Sequence, residues 1–505
     1  GLVTVMERAA RKAGTRLRRD FSEVEHLQVS KKGPSFDDVK KIPGQLKTRA
    51  QVLVLMLEVQ KGASLQHSLD RAFQDFSPQE RGFALELLMG SLRDYIPLQM
   101  EVRKCLAKPL KSSGKWLEAL LVLGAYQLTS MNTPARAVIH SMVEIVRTLG
   151  YDHLVGLANG VLRGVQRNIE AANGELKPLA IHDYLNEGHW LHAELFKNWR
   201  KEYFPGIMQG YASKPPLYMR ISRKVSMESY LQQLQDEEIS VRFLPDTVMP
   251  VPQCIQLEES QRVSDLPGYH EGLLSIQDYS AQACVQALVN QIETEGWLQA
   301  EGVAKSQPLK VLDACAAPGG KTAALIDLLP EKTMIHAVDI ESSRVERIRE
   351  NMHRLNVLSE NLALICADLS KPHEIIDQVA HDGGYDVILL DAPCSGTGVI
   401  ARHPDIFWCR REEDIQVLVE TQRHLLKRAE ALLKPGGLLM YATCSILKRE
   451  NTDNIEWFMT EGGSQLEVVP MDARLGLQQA YGYQRLPLPD SDGDGFYYVL
   501  LRKPR

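Results

Sequence analysis

From about residue 276 to the end of the chain, apolar strand-like runs alternate with helical stretches. The strand-like runs are LKVLDA, MIHAVDI, LALICAD, YDVILLDAPC and GLLMYATC, with GFYYVLLRK last. Between them come a helix over 319–329, SSRVERIRENMHRLN, EDIQVLVETQRHLLKRAEALL and RENTDNIEWFMTE. Strands that are apolar throughout need cover on both faces, and the intervening helices supply it. The pattern therefore predicts a doubly wound, mostly parallel α/β domain. In open sheets of this kind ligands bind outside the carboxyl ends of the strands. Cys315, Asp339, Asp368, Asp391, Cys394 and Cys444 all fall at those ends.

A chain of 505 residues exceeds one hydrophobic core, so several domains are expected. Residues 45–172 carry helical patterns and no strand signals. Ser77-Pro78-Gln79-Glu80 reads as a helix start, with Ser at the N-cap, Pro at the first position and Glu at the third. Residues 173–275 combine a helix (HWLHAELFKNWRKEYF) with short strands around a helix at 226–237, a connector and small α/β subdomain. The expected division is an N-terminal extension at 1–44, helices at 45–172, the connector at 173–275 and the α/β domain at 276–505.

The richest apolar run, WLEALLVLGAYQL (116–128), contains Glu118 and falls short of the roughly 20 residues that span a bilayer. The first twenty residues are cationic and lack the apolar centre of a signal peptide. A cytoplasmic, membrane-free protein and a monomer are the expectation. The eight cysteines form no Cys-x-x-Cys pair and no spacing suited to zinc, so no metal is expected and the thiols should be reduced. Residues 1–172 hold 25 basic against 17 acidic side chains, and the remainder 33 against 47. A basic front on an acidic body suits an anionic partner, and solvated helix faces account for it almost as well.

DACAAPGGKT (313–322) follows a strand and opens a helix. Its glycines allow backbone amides to approach a ligand, and its spacing is neither a Walker loop nor G-x-G-x-x-G. Asp339 ends the next strand, where an acid accepts hydrogen bonds from ribose hydroxyls, and Asp368 ends the third, within reach of an adenine edge. Each could instead cap the helix that follows. Three acids in successive strands beside a glycine turn favour a nucleoside-containing ligand. Cys394 and Cys444, ending two strands of one sheet, read either as small buried residues or as a thiol pair facing one substrate. The residues alone do not choose which thiol would attack.

DACAAPGGKT, VDI, LLDAPCSGTGVIARHPD and YATCSI together resemble the AdoMet-dependent RNA cytosine-5 methyltransferases. The helices at 45–172 resemble the NusB-like RNA-binding domain, and the combination, across about 45–505, resembles the Sun/Fmu type that acts on 16S ribosomal RNA. The resemblance implies a Rossmann-like domain behind an all-α one, S-adenosyl-L-methionine (AdoMet) as co-substrate, and small-subunit ribosomal RNA as partner, naked or in an early assembly intermediate. It implies Cys444 as the nucleophile that adds to cytosine C6, Cys394 as the residue assisting product release, and Asp391 as an acid shared between base and cofactor. It further implies that Cys315, Ala316, Ala317, Pro318, Gly319, Gly320 and Lys321 contact the methionine part of AdoMet, Asp339 the ribose and Asp368 the adenine side. Rival readings are a non-catalytic RNA-binding assembly factor, an exocyclic-amine methyltransferase, and the same chemistry on another RNA such as transfer RNA. Residues 1–44 resemble the first helix and strand of inositol monophosphatases. That likeness stops before the metal-binding carboxylates and implies no phosphatase activity, so the segment reads as an appended or fused piece.

Two further features stay open. IARHPDIFWCRR places Arg402, His403, Trp408, Arg410 and Arg411 together, which suits a flipped nucleotide and its phosphates, or equally a packed loop. Arg93, Arg103, Lys104, Lys108 and Lys111 are candidate RNA-phosphate contacts or ordinary surface charges.

Overall fold

The computed structural model describes residues 34–505 except 41, 111–113, 175, 177, 260 and 299–307. The expected N-terminal segment up to residue 33, and Lys111, lie outside the described residues. Two compact units emerge: one takes residues up to Lys214 together with Ile400–Glu412, the other Pro215–Val399 with Glu413–Arg505. The boundaries expected at 172/173 and 275/276 divide the chain more finely than this.

The first unit is helical: α1 (Gly44–Gln60), α2 (Leu65–Ala72), α3 (Pro78–Arg93), α4 (Tyr95–Lys104), α5 (Lys115–Ser130), α6 (Ala135–Thr148), α7 (Asp152–Ala171), α8 (Ile181–Asn186) and α9 (Trp190–Ala212). Helix α3 starts as its sequence predicts. The Ser77 hydroxyl accepts from Glu80 N at 3.3 Å, and the Glu80 carboxylate accepts from Ser77 N at 2.9 Å. The apolar run 116–128 is α5, which packs against α1, α3, α4, α6 and α7. A helix apolar all round belongs at the centre of a bundle, and that is where this one lies. Gly124 permits its close approach to α7, since a Cβ there would stand 2.7 Å from a Leu162 methyl.

The second unit begins with a small antiparallel sheet, order β2-β3-β1-β4, from β1 (Leu217–Ile221), β2 (Val241–Arg242), β3 (Cys254–Leu257) and β4 (Leu274–Ile276), with α10 (Met227–Asp236) against it. Helix α11 (Tyr279–Thr294) leads on to β5 (Lys310–Ala314), α12 (Gly320–Leu328), β6 (Met334–Asp339), α13 (Ser342–Arg354), β7 (Leu362–Cys366), α14 (Glu374–His381), β8 (Tyr385–Asp391), α15 (Glu412–Leu432), β9 (Leu433–Thr443) and α16 (Thr452–Met459). The short strands β10 (Glu467–Val469), β11 (Leu477–Gln478) and β12 (Tyr483–Arg485) precede β13 (Phe496–Arg502). The large sheet runs β11-β12-β13-β9-β8-β5-β6-β7, parallel from β9 to β7, with β13 antiparallel to β9.

Side chains alternate across this sheet with period two. Val311, Val387, Leu389, Leu438 and Met440 enter the core shared with α11 and α12, while Leu312, Ile388, Leu390, Leu439 and Tyr441 enter the one shared with α14 to α16. Each large aliphatic side chain so buried contributes roughly 1.5–3 kcal/mol. Strand order reverses between β5 and β8, opening a crevice at their carboxyl ends.

Candidate active site

Strand β5 ends at Ala314, and Cys315 turns the chain with a left-handed φ of 61°. Gly319, φ 95°, is the N-cap of α12; a Cβ there would press on Ile348 and Met352 at 3.0 and 3.1 Å. The loop 315–319 is held to β6 by Ala316 N donating to Val338 O (2.9 Å) and Ala317 N donating to Asp339 Oδ2 (3.1 Å). Asp339 is 3% exposed and pairs with Arg344 at 3.3 Å through the same oxygen. Its Oδ1 is buried and has no hydrogen-bond partner among the described residues. An unpartnered carboxylate oxygen at the end of the second parallel strand suits a ribose hydroxyl. The turn and Asp339 therefore fit the nucleoside cofactor that the sequence implies.

Asp368 does not cap the helix that follows, whose N-cap is His373; its carboxylate instead closes the turn between β7 and α14. It accepts from Ser370 N and Oγ at 3.1 and 2.6 Å and pairs with Lys371 at 2.7 Å. Burial opposes its charge, but Lys371 and Ser370 outweigh that and hold its carboxyl below the usual range. Beneath the loop, Asp313 is fully buried and accepts from Thr322 Oγ1 at 2.6 Å. Burial pushes its carboxyl up to about 7.

On the other side of the switch point, Lys321 Nζ meets Asp391 Oδ2 at 2.5 Å and lies 5.2 Å from the centre of the Phe496 ring. Burial works against the lysine charge, yet Asp391 and neighbouring thiols raise its pKa above the ordinary value. Strands β8 and β9 pair as far as Asp391 opposite Ala442. Just beyond that rung the two cysteines converge, with Cys394 Sγ 3.4 Å from Cys444 Sγ. Hydrogen bonding to Cys444, then burial, push the Cys394 thiol well above its usual range, so it is held protonated.

Under the thiols lies a buried polar network that motif reading missed. Glu450 is fully buried. Its Oε2 accepts from the hydroxyls of Ser395 and Ser445, both at 2.5 Å, and its Oε1 from Ser395 N (2.8 Å) and Gln422 Nε2 (3.1 Å). Asn451 donates to Ser445 O (2.9 Å) and Gln484 Oε1 (2.8 Å) and accepts from Thr443 Oγ1 (2.6 Å). Gly398 N donates to Cys444 O at 2.8 Å, and a Cβ on Gly398 would fall 2.0 Å from Gly495 O. The one visible signal was local polarity: Glu450-Asn451 just beyond YATCSI.

The remaining thiols do not join the pair. Cys254 and Cys284 are buried in the sheet core, where burial pushes Cys284 up to about 12. Cys366 is exposed near Ile340 O, and Cys105 packs against Gly164. Among the described residues no group of three or more His, Cys, Asp or Glu is placed to hold a metal, and no helix is long and apolar enough to cross a membrane.

The segment after the Cys394 loop belongs to the helical unit and is packed there. Asp405 Oδ2 accepts from Leu65 N (2.9 Å) and Ser64 Oγ (3.2 Å), capping α2 from a distant part of the chain. Trp408 meets Tyr95 edge-on at 4.9 Å, and Phe407 stacks on His189 at 3.9 Å. Burial pushes the His403 imidazole below its ordinary value. Of the basic residues, Arg93 donates to Ala401 O (3.2 Å), Arg103 pairs with Glu118 and Glu187, and Lys104 pairs with Glu101, whereas Lys108 is exposed.

Residues 303–502 match the family model for 16S rRNA methyltransferase RsmB/F, and residues 46–167 match that of the NusB family. Ribosomal RNA small subunit methyltransferase B of Pasteurella multocida (strain Pm70) is 34% identical over 475 residues, 92% of this chain and 98% of its own. The protein of the same name from Vibrio cholerae serotype O1 is 36% identical over 448 residues, 88% of this chain and 94% of its own. In fold, the chain is similar to the crystal structure of PH0851 (TM-score 0.64, 20% identity, 90% and 98% covered). It is also similar to a methyltransferase homolog protein from Pyrococcus horikoshii (TM-score 0.50, 24% identity, 64% and 100% covered).

Proposed function

The chain belongs to the 16S rRNA methyltransferase RsmB/F family, with a NusB-family domain at its front, and from that premise we propose that it methylates carbon 5 of a cytosine in 16S ribosomal RNA through a cysteine adduct at C6. The observation that carries the cysteine chemistry is the 3.4 Å approach of Cys394 Sγ and Cys444 Sγ at the carboxyl ends of adjacent parallel strands.

AdoMet, when bound, supplies an electrophilic methyl group. The 315–319 turn and Asp339 Oδ1 would hold its methionine and ribose ends, with Asp368 at the base side. Cytosine C5 is a poor nucleophile until a sulfur adds to C6. Cys444 forms that S–C6 bond, and the ring becomes an enamine whose C5 accepts the methyl. Thiolate addition puts negative charge on the ring at N3; Asp391 would meet it in its carboxylic form, donating a proton to N3, with Lys321 beside it (2.5 Å) supplying positive charge. The C5 proton then passes to solvent water, its bonding pair re-forms the C5–C6 double bond, and the C6–S bond breaks to release the sulfur of Cys444. Cys394, held as a thiol, offers its hydrogen to the departing sulfur of Cys444 and so eases elimination. A paired base cannot present C6 to a thiol, so the substrate cytosine is splayed out, as in naked RNA or an early assembly intermediate.

The test uses 16S RNA carrying tritium at cytosine C5, incubated with AdoMet. Tritium should be released in step with methyl incorporation. Methyl incorporation without tritium release would place the reaction at another atom.

A further inference from the structure

The two sulfurs sit on separate loops, each beyond the last paired rung of β8 and β9. Strand pairing alone leaves their separation loosely set. Each cysteine is followed by a serine, Ser395 and Ser445, and both serines are fully buried. Both hydroxyls converge on one oxygen, Glu450 Oε2, at 2.5 Å each. The other oxygen takes Ser395 N at 2.8 Å and Gln422 Nε2 at 3.1 Å, so the buried carboxylate is met by four donors. Charge-assisted bonds of this kind are about twice as strong as neutral ones. Glu450 is itself fixed, because Tyr441 Oη donates to its carbonyl at 2.8 Å. Thr397 closes the ring: its hydroxyl lies 3.1 Å from both serine hydroxyls and accepts from Ile446 N at 3.0 Å.

We infer that Glu450 is the positioning residue that clamps the two cysteine loops together and so sets the distance between Cys394 and Cys444. It touches neither sulfur. It acts one residue away on each side, through Ser395 and Ser445. This rests on the proposal that both thiols serve one cytosine.

Glu450→Gln keeps the shape and one oxygen but turns an NH2 group or a weaker acceptor towards the two hydroxyls. Misplacing a reacting group by about 1 Å costs roughly 100-fold in rate. Single-turnover methyl transfer should therefore fall by about 10- to 100-fold. The yield of covalent RNA adduct in a Cys394→Ser background should fall in parallel, while the Kd for AdoMet stays within about threefold. If Glu450→Gln does not fold, Ser395→Ala, Ser445→Ala and the double variant take its place. Because both hydroxyls use one oxygen, their losses should combine non-additively. A pair that transfers methyl and forms adduct at the native rate, or losses that simply multiply, would overturn the clamp. Absence of adduct in the Cys394→Ser protein with Glu450 intact would instead overturn the adduct chemistry, and the clamp with it.

Discussion

The helical unit and the sheet unit use buried polar groups differently. Among the described residues of the helical unit, the buried side-chain atoms left without partners are neutral: Gln51 Oε1, Ser91 Oγ, Gln99 Oε1 and the Trp408 indole nitrogen. Two of its acids are occupied: Asp405 by Leu65 N and Ser64, and Glu118 by Arg103 and Gln99. In the sheet unit, two buried carboxylate oxygens among the described residues lack partners, Oδ1 of Asp313 and Oδ1 of Asp339, and both belong to the carboxyl ends of neighbouring parallel strands. An orphaned neutral group costs about 1–3 kcal/mol and a charged one more. The sheet unit also leaves the Nε atoms of Arg428, Arg485 and Arg502 unpartnered, on α15, β12 and β13, but its two unpartnered carboxylate oxygens lie together, at the edge that also bears the two thiols in contact. Such an edge is organised for a ligand, whereas the helical unit's interior is organised for its own packing.

Replacing Cys444 with Ala breaks the comparison most sharply. Methyl transfer should fall by about four orders of magnitude or more, with melting temperature and AdoMet binding unchanged, since the chemistry needs a sulfur and the fold does not. Turnover within about tenfold of native, measured with labelled AdoMet, would remove the distinction between the two units. Next in size is Gly398→Ala. Its Cβ would meet Gly495 O at 2.0 Å and Cys444 O at 2.8 Å, backbone atoms that cannot swing aside. Denaturant unfolding should show a loss of about 1–3 kcal/mol or more, accompanied by loss of activity.

Asp405→Ala acts on the other unit. It removes the distant cap of α2 and should cost about 1 kcal/mol of stability. AdoMet binding, read by calorimetry, should not move. A pH-dependent effect concerns Asp313. Its pKa is near 4 unfolded and about 7 folded. A raised folded value means the folded state binds the proton more tightly. The resulting stabilisation is fully present below about pH 4 and is lost as pH rises through about 7. Asp313→Asn should remove this dependence. Melting temperature of the native protein should fall relative to the variant across that window, and a constant difference would contradict the assignment.

Much of this was legible in the sequence because it is local. The strand–helix alternation after 276, the Ser77/Glu80 cap and the strand-end positions of Asp339, Asp391, Cys394 and Cys444 all follow from spacing. The apolar run 116–128 was legible as too short for a membrane, though not as the bundle's central helix, because the helices around it are set by tertiary packing. The contribution of Glu450 was hidden, since its partners Ser395 and Gln422 are 55 and 28 residues away. So was the place of 400–412 in the helical unit: Asp405 caps a helix 340 residues earlier. Aromatic and basic residues in that segment read as well for RNA as for packing, and only the contacts of Trp408 with Tyr95 and Phe407 with His189 separate the two.

The most direct test of the account is to incubate the Cys394→Ser protein with AdoMet and 16S RNA, denature the mixture and digest it. Stalled elimination should leave a stable protein–RNA complex, with the nucleotide attached to the peptide carrying Cys444 and with no complex when Cys444 is also replaced by Ala. RNA that is methylated without any trapped complex, or a nucleotide attached at a cysteine other than Cys444, would contradict it.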